Sequence, residues 1–150
     1  MLSFQGKLYV GTDNASGSRG KVLVRDSLGA YTTGDTGTGG AAAINNGYLS
    51  MCVFDNALYT AYWNPDTPAI SKIRKYDGSS WTTAYTGASD TLRPFILLFV
   101  DSGLLFAAGG GNLLAAAILS TPDGTTWTDL TAELPENNKT LLPVFGVDVL

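Results

Sequence analysis

At 150 residues the chain is long enough to form one domain with its own core. Its charged content of 15 % and its 18 glycines argue against a helical bundle and favour short strands joined by glycine-rich turns. A net charge of −4 gives a nucleic-acid partner no electrostatic support, and the absence of histidine removes the commonest general base and transition-metal ligand. We therefore expect no enzymatic activity, no cofactor and no metal.

Three hairpins are predicted along the chain. In each, a short polar turn separates two runs of alternating apolar residues; the turns are Gln5-Gly6, Asp55-Asn56 and Ser102-Gly103. A leucine and an aromatic residue follow every turn, and these pairs are 50 and 47 residues apart: Leu8-Tyr9, Leu58-Tyr59 and Leu105-Phe106. The spacing indicates a repeated unit.

A second landmark follows each hairpin. A further strand leads into a turn and then into an aromatic residue, and Tyr31, Trp81 and Trp127 are 50 and 46 residues apart. The two tryptophans stand in near-copies, KYDGSSWTT and TPDGTTWTD, whose Asp-Gly predicts a tight turn between the third and fourth strands. We expect each tryptophan to begin the outermost strand and to pack between neighbouring units. Residues 112–119 contain helix formers, but their length and flanking Gly and Pro predict a strand.

Four short strands in about 40–50 residues match the size of one β-propeller blade. The motifs LYVGT and YDGSSW resemble the repeats of phage tail and bacterial surface proteins, and the units are similar to kelch-like, Asp-box-like and lectin-like blades. The segment 121–127 has one residue fewer between Asp and Gly than an Asp box. The resemblance implies an extracellular or virion-associated setting. We predict an all-β chain of about three four-stranded blades, near residues 1–40, 47–87 and 93–133.

The two ends of the sequence read as halves of one blade. The first unit is expected to lack an opening strand, and residues 140–150 form an apolar run without a hairpin partner. Because propellers have about four to eight blades, we expect head-to-tail homo-oligomerisation to complete the ring. A dimer of six blades is favoured over a trimer, with strand 140–150 completing the first blade of a partner. The predicted closure residues are Phe4, Leu8, Val10, Val144, Phe145, Val147 and Val149. A single β-domain without a ring is the alternative.

Aromatic side chains carry the ligand prediction. Sugars stack their apolar faces on exposed rings beside Asn, Asp and backbone hydrogen-bonding groups. The segment LYTAYWNPDTP offers such groups at Tyr62, Trp63, Asn64 and Asp66, so a carbohydrate is the expected ligand there. The alternative is that these rings fill the space between blades, as expected for the two repeated tryptophans.

Charged and small residues give three further expectations. Lys21 with Arg25, and Lys72 with Arg74, alternate along the third strands and predict a solvated face, with a basic rim for acidic sugars as the alternative. Residues 33–47 are glycine-rich and predict a flexible surface connector. The aspartates of the repeated turns are expected to bond their own backbone. The most apolar stretch, 94–108, is interrupted by Asp-Ser-Gly and is too short to insert into a membrane.

The sequence therefore predicts a non-enzymatic module for recognition or assembly, whose partners are copies of itself and a glycan. The alternative from another class is a structural propeller scaffold without a ligand, whether natural, excised or engineered. A glycosidase-type fragment is disfavoured by scattered carboxylates and missing histidine. No catalytic residue is identified.

Overall fold

A computed structural model describes residues 1–14, 20–36, 46–64, 70–87, 95–111 and 114–133. The regular structure of these residues is β, apart from one 3-10 turn, Thr131–Glu133. No helix among them has the length and hydropathy needed to cross a membrane. The strands are β1 (Leu2–Phe4), β2 (Lys7–Gly11), β3 (Asp13–Asn14), β4 (Lys21–Arg25), β5 (Tyr31–Thr36), β6 (Asn46–Phe54), β7 (Ala57–Asn64), β8 (Ile70–Tyr76), β9 (Trp81–Thr86), β10 (Phe95–Asp101), β11 (Leu104–Gly111), β12 (Leu114–Thr121) and β13 (Thr128–Asp129).

The strands form three antiparallel sheets, each built on a four-stranded meander. Sheet 1 has the order β1-β2-β4-β5, sheet 2 the order β6-β7-β8-β9 and sheet 3 the order β10-β11-β12-β13. The two-residue strand β3 adds a fifth member to sheet 2 by pairing Asp13 with Gly47 at the start of β6. The all-β prediction with three repeated four-stranded units is confirmed.

Sheet 1 contains an opening strand, which corrects the expectation that the first unit lacks one. Strand β1 pairs with β2 from Leu2↔Tyr9 to Phe4↔Lys7. It has three residues, against nine in β6 and seven in β10. Three residues are too few for the alternation of apolar and polar side chains to reveal a strand. Residues 140–150 lie outside the described part of the chain, so the exchange of that strand, with Val144, Phe145, Val147 and Val149, stays a prediction.

The hairpins turn where the sequence predicts. Both central residues of every turn have positive φ, at 49° and 73° (Gln5, Gly6), 46° and 56° (Asp55, Asn56), and 48° and 78° (Ser102, Gly103). Positive φ at both positions is the mark of the type I′ turn, whose twist matches that of the two strands it joins. The local turn chemistry therefore sets the register of three hairpins.

Two further segments can be compared with their predictions. Strand β12 confirms the strand predicted at 112–119 for the residues that the structure describes there. The predicted connector at 33–47 is partly wrong: residues 33–36 complete β5, where Asp35 pairs with Val22, and Asn46 and Gly47 begin β6. The glycine and threonine residues of this segment do not indicate a strand in the sequence. Their extended conformation is set by the pairing of β5 with β4.

The core consists of two layers, one on each side of sheet 2. Between sheets 1 and 2 the buried residues are Phe4, Tyr9, Val22, Tyr48, Leu58 and Tyr62. Between sheets 2 and 3, Tyr59 and Ile73 pack with Leu105 and Leu119. Leu58 and Tyr59 are adjacent and both 0 % exposed. Since adjacent strand residues point to opposite faces, sheet 2 is covered on both.

Cys52 is a free thiol, partly buried at the edge of the layer between sheets 2 and 3. Burial raises the pKa of its thiol to about 12. Because only the thiolate attacks disulfide reagents, we expect Ellman's reagent at neutral pH to react at least about 100-fold more slowly with the folded chain than with the chain in denaturant. Equal rates in the two states would contradict the burial of this thiol.

Candidate assembly interface

Each repeated tryptophan lies against the sheet that precedes its own. Trp127, directly before β13, donates a hydrogen bond from Nε1 to the carbonyl oxygen of Ala84 in β9, at 3.2 Å. Trp81, the first residue of β9, lies against Gly34 in β5, with its Nε1 3.6 Å from the place that a Cβ on Gly34 would occupy. The predicted packing of both tryptophans between neighbouring units is confirmed.

The two interfaces between sheets are built from corresponding faces. The earlier sheet of each pair contributes the aromatic residue of its hairpin, Tyr9 in the first interface and Tyr59 in the second. The later sheet contributes the leucine that precedes the aromatic residue of its own hairpin, Leu58 in the first interface and Leu105 in the second. Because these neighbours point to opposite faces, every sheet has a leucine face and an aromatic face.

No other sheet in the described residues covers the leucine face of sheet 1. Leu8 pairs with Arg25, and Arg25 pairs with Tyr31, so these three side chains share the face. Tyr31 occupies the position of the repeated tryptophan, is 56 % exposed and lies 5.9 Å from the Arg25 guanidinium carbon, measured to the ring centroid. Two predicted closure residues, Leu8 and Val10, belong to this face. A third, Phe4, is instead buried between sheets 1 and 2.

The aromatic face of sheet 3 is the counterpart at the other end of the described array. Phe106, at the position of Tyr59, stacks on Phe99 with ring centroids 5.1 Å apart and planes at 8°. Ile118 shares this face, because it pairs with Ala108, two residues from Phe106. All three apolar side chains are partly buried. The leucine face of sheet 1 and the aromatic face of sheet 3 are thus the two sides of an interface that the chain forms twice internally.

A largely buried ion pair joins sheets 1 and 2. The Arg74 guanidinium in β8 donates to the Asp35 carboxylate in β5, at 2.9 Å from Nε and 3.1 Å from Nη2. The two side chains are 17 % and 10 % exposed. The Tyr48 hydroxyl donates to the same carboxylate at 2.8 Å. Hydrogen bonding to Asp35 raises the pKa of Arg74, and burial, with Asp35 nearby, raises that of Tyr48.

This pair corrects the prediction that Arg74 lies on a solvated face. Alternation along β8 places Arg74 correctly on one side of the strand, but that side is covered by sheet 1. The sequence pattern does not indicate this contact, because Asp35 lies in the glycine-rich segment 33–47, for which the sequence predicts a connector. The signal available was a lone Asp four residues after Tyr31, on the same strand.

Asp77 and Asp123 cap their turns, as predicted. The Asp77 carboxylate accepts hydrogen bonds from the backbone amides of Ser79 and Ser80, each at 2.8 Å. The Asp123 carboxylate accepts the equivalent pair from residues 125 and 126, at 2.8 and 2.7 Å. These bonds hold the pKa of both carboxyl groups well below the ordinary value of 3.8.

Acid is therefore expected to destabilise the fold through these turns. A pKa that is lower in the folded than in the unfolded chain gives stabilisation that is present above the unfolded value of 3.8 and lost as the pH falls below it. The double variant Asp77→Asn, Asp123→Asn keeps an oxygen acceptor and does not titrate. Urea unfolding should show its stability falling less than that of the unsubstituted chain from about pH 5 to pH 2. Parallel losses would contradict this account.

Two of the predicted sugar-binding residues, Tyr62 and Trp63, lie on opposite faces of sheet 2. Tyr62 is 1 % exposed and packs against Tyr48, with ring centroids 4.9 Å apart, so its ring lies in the core. Trp63 is its neighbour in β7 and points to the other face of sheet 2. Asn64 ends this strand, and Asp66 lies outside the described residues. The ligand role of Trp63, Asn64 and Asp66 stays a prediction.

Among the described residues, no cluster of three His, Cys, Asp or Glu side chains could hold a metal ion. No protein-family model matches the chain, and no curated protein matches its sequence. The fold and its interfaces define the molecule as an all-β protein of three repeated, four-stranded antiparallel sheets.

Proposed function

We propose that the chain is a non-enzymatic module that assembles with copies of itself and thereby completes a β-propeller ring. One observation supports this: the leucine face of sheet 1 and the aromatic face of sheet 3 correspond to the two sides of the internal interfaces. Their contact between copies is heterologous and runs head to tail. This contact places Tyr31 of one copy against sheet 3 of the next copy, beside Leu130. Leu130 lies three residues after Trp127, and it corresponds to Gly34, which comes three residues after Tyr31 and lies against Trp81.

The proposed assembly is a dimer of two three-bladed chains. A head-to-tail contact closes a ring when the rotation between copies fits and otherwise grows into an open chain. Two copies give six blades, within the range of about four to eight that propellers adopt. If the chain is instead a structural scaffold without a ligand, we expect the same assembly. The two hypotheses differ only in whether the chain binds a sugar.

Light scattering coupled to gel filtration tests the proposal. The chain should elute with twice its mass of 15.7 kDa. Tyr31→Glu puts a charge into the contact and should shift the mass toward the monomer. Leu28→Glu is the matched control, because Leu28 is 93 % exposed at the tip of the β4–β5 turn, and it should leave the mass unchanged. Circular dichroism verifies that both variants fold.

Two results would overturn the proposal. One is an unsubstituted chain that stays at 15.7 kDa at every concentration reached. The other is a folded Tyr31→Glu variant that assembles as the unsubstituted chain does.

A further inference from the structure

A cleft of about 230 Å³ opens between sheets 1 and 2, beside the turn that joins β8 to β9. Its apolar wall includes Tyr9, Tyr76 and Trp81. The Tyr76 and Trp81 rings stack with centroids 5.1 Å apart and planes at 26°, and Tyr9 lies 5.8 Å from Tyr76. Three polar side chains, from Lys7, Thr32 and Ser79, line its exposed rim. The cleft therefore combines an aromatic wall with hydrogen-bonding groups at its mouth.

Several of these groups can bond a ligand. Burial raises the pKa of Tyr9 to about 12, and its hydroxyl is hydrogen-bonded to Tyr76, so Tyr9 contributes its ring to the wall. Within the described residues, no acceptor bonds Nε1 of Trp81, whereas Nε1 of Trp127 is bonded to Ala84. Among the described residues, Lys7 has no ion-pair partner and no carboxylate lines the cleft.

The second interface shows why the first has a cleft. There Thr121 ends the third strand, and its hydroxyl accepts a hydrogen bond from the amide of Gly124 at 2.9 Å, which draws the turn down onto Tyr59. In the first interface, Tyr76 ends the third strand and donates from its hydroxyl to the carbonyl oxygen of Gly78 at 2.8 Å. Gly124 lies against the hydroxyl of Tyr59, whereas the atoms nearest to a Cβ on the corresponding Gly78 belong to Gln5, at 2.9 Å. The β8–β9 turn is therefore not packed onto Tyr9 as the later turn is packed onto Tyr59, and the cleft opens beside it.

We propose that this cleft binds a single pyranose ring that carries a carboxylate. Aromatic rings stack on the apolar face of a sugar, and hydroxyl groups at the rim bond its hydroxyls. Sites for drug-sized ligands have volumes of about 300–1,000 Å³. The smaller volume of this cleft suits one sugar ring rather than an extended chain. Among the described residues of the lining, Lys7 alone is charged, and a charge-assisted bond to a carboxylate is stronger than a neutral one. The site lies within one chain and does not rest on the proposed self-association.

Two-dimensional NMR of the indole groups tests this binding directly. The chain has three tryptophans, and Trp81→Phe and Trp127→Phe assign their signals. Methyl glucuronide should shift the Trp81 indole signal in a saturable way and leave the Trp127 signal in place. Methyl glucoside, the neutral probe, should bind about 5- to 10-fold more weakly, as expected for the loss of one charge-assisted bond. Acetate should cause no comparable shift, because it lacks the ring.

Substitutions at the rim separate the contributions. Lys7→Ala should weaken the glucuronide by the same 5- to 10-fold or so and leave the glucoside unchanged within about twofold. Thr32→Ala should weaken both sugars, whereas Thr82→Ala, at the corresponding exposed position of the next sheet, should weaken neither.

Four outcomes would overturn the proposal. They are the absence of any shift at Trp81 with either sugar, equal binding of both sugars, an acetate shift as large as that of the glucuronide, and unchanged affinity in the rim variants. The oligomeric mass of the same samples shows separately whether self-association holds.

Discussion

Replacing Asp35 by alanine is expected to lower the free energy of unfolding by about 3–5 kcal/mol, because it leaves a buried cation without its partner. Arg74 is only 17 % exposed and donates two hydrogen bonds to the lost carboxylate. The Tyr48 hydroxyl loses its acceptor as well. Asp35→Asn is the milder variant, since the amide keeps one oxygen for Tyr48 and Arg74 Nε, although it removes the charge and the second acceptor of Arg74. Urea unfolding measures both.

The second interface of the same chain supplies a rescue. In the interface between sheets 2 and 3, Phe95 corresponds to Tyr48, Tyr85 to Asp35 and Leu119 to Arg74. The ring centroids of Phe95 and Tyr85 are 5.6 Å apart. Replacing a buried ion pair by well-packed apolar residues is often neutral or stabilising. The triple variant Tyr48→Phe, Asp35→Tyr, Arg74→Leu should therefore be more stable than Asp35→Ala.

The comparison of single and triple variants identifies the cause of the loss. If Asp35→Ala costs under about 1 kcal/mol, the level of an exposed pair, the interaction is a surface contact and the account is wrong. If the triple variant is less stable than the single one, the ion pair has a role in orienting the sheets that apolar packing does not replace.

The sequence predicts the parts of this fold that depend on local chemistry. Two-residue turns with positive φ leave a short polar signature, and the Asp that caps the third-to-fourth strand turn is recognisable with its Gly and Trp. Repetition strengthens both signals, because Trp81 and Trp127 recur at one place in two sheets. The unit boundaries follow from these landmarks, without any knowledge of how the sheets face one another.

The parts that the sequence did not predict depend on contacts between sheets. The ion pair links residues 39 positions apart, and one of them lies in a segment of glycine and threonine. The cleft depends on Tyr76, which stands directly before the β8–β9 turn where sheet 3 has Thr121. The effect of this difference depends on where the turn lies relative to the preceding sheet, which the sequence does not show. Tyr62 and Trp63 were grouped because they are adjacent, although adjacency in a strand places them on opposite faces.

Gly124→Ala is expected to cost about 2–4 kcal/mol, the other large effect that the structure predicts. Gly124 has a φ of +70°, which costs an L-residue about 1 kcal/mol or more. An added Cβ would also overlap the hydroxyl of Tyr59, which is 0 % exposed and cannot move away freely. Forcing an extra carbon into a packed site typically costs a further 1–3 kcal/mol or so. Thermal and urea unfolding measure the loss.

Gly78→Ala is the matched control at the corresponding turn. Its φ is +103°, and the nearest atoms to an added Cβ belong to the side chain of Gln5, an exposed residue that can turn aside. We expect this variant to show the backbone cost alone, about 1–3 kcal/mol for a non-glycine residue in a sparsely populated conformation. A loss as large as that of Gly124→Ala would mean that the overlap with Tyr59 contributes nothing.

Tyr59→Phe completes the test. The Tyr59 hydroxyl is buried without a hydrogen-bond partner among the described residues, so removing it should leave stability unchanged or raise it by about 1 kcal/mol. In this background Gly124→Ala should cost less than in the unsubstituted chain, by about 1 kcal/mol. The relief is partial because the ring carbon Cζ would still lie 2.7 Å from the new Cβ. Additive losses would show that the turn moves away from the ring instead, and that the second interface is looser than its packing indicates.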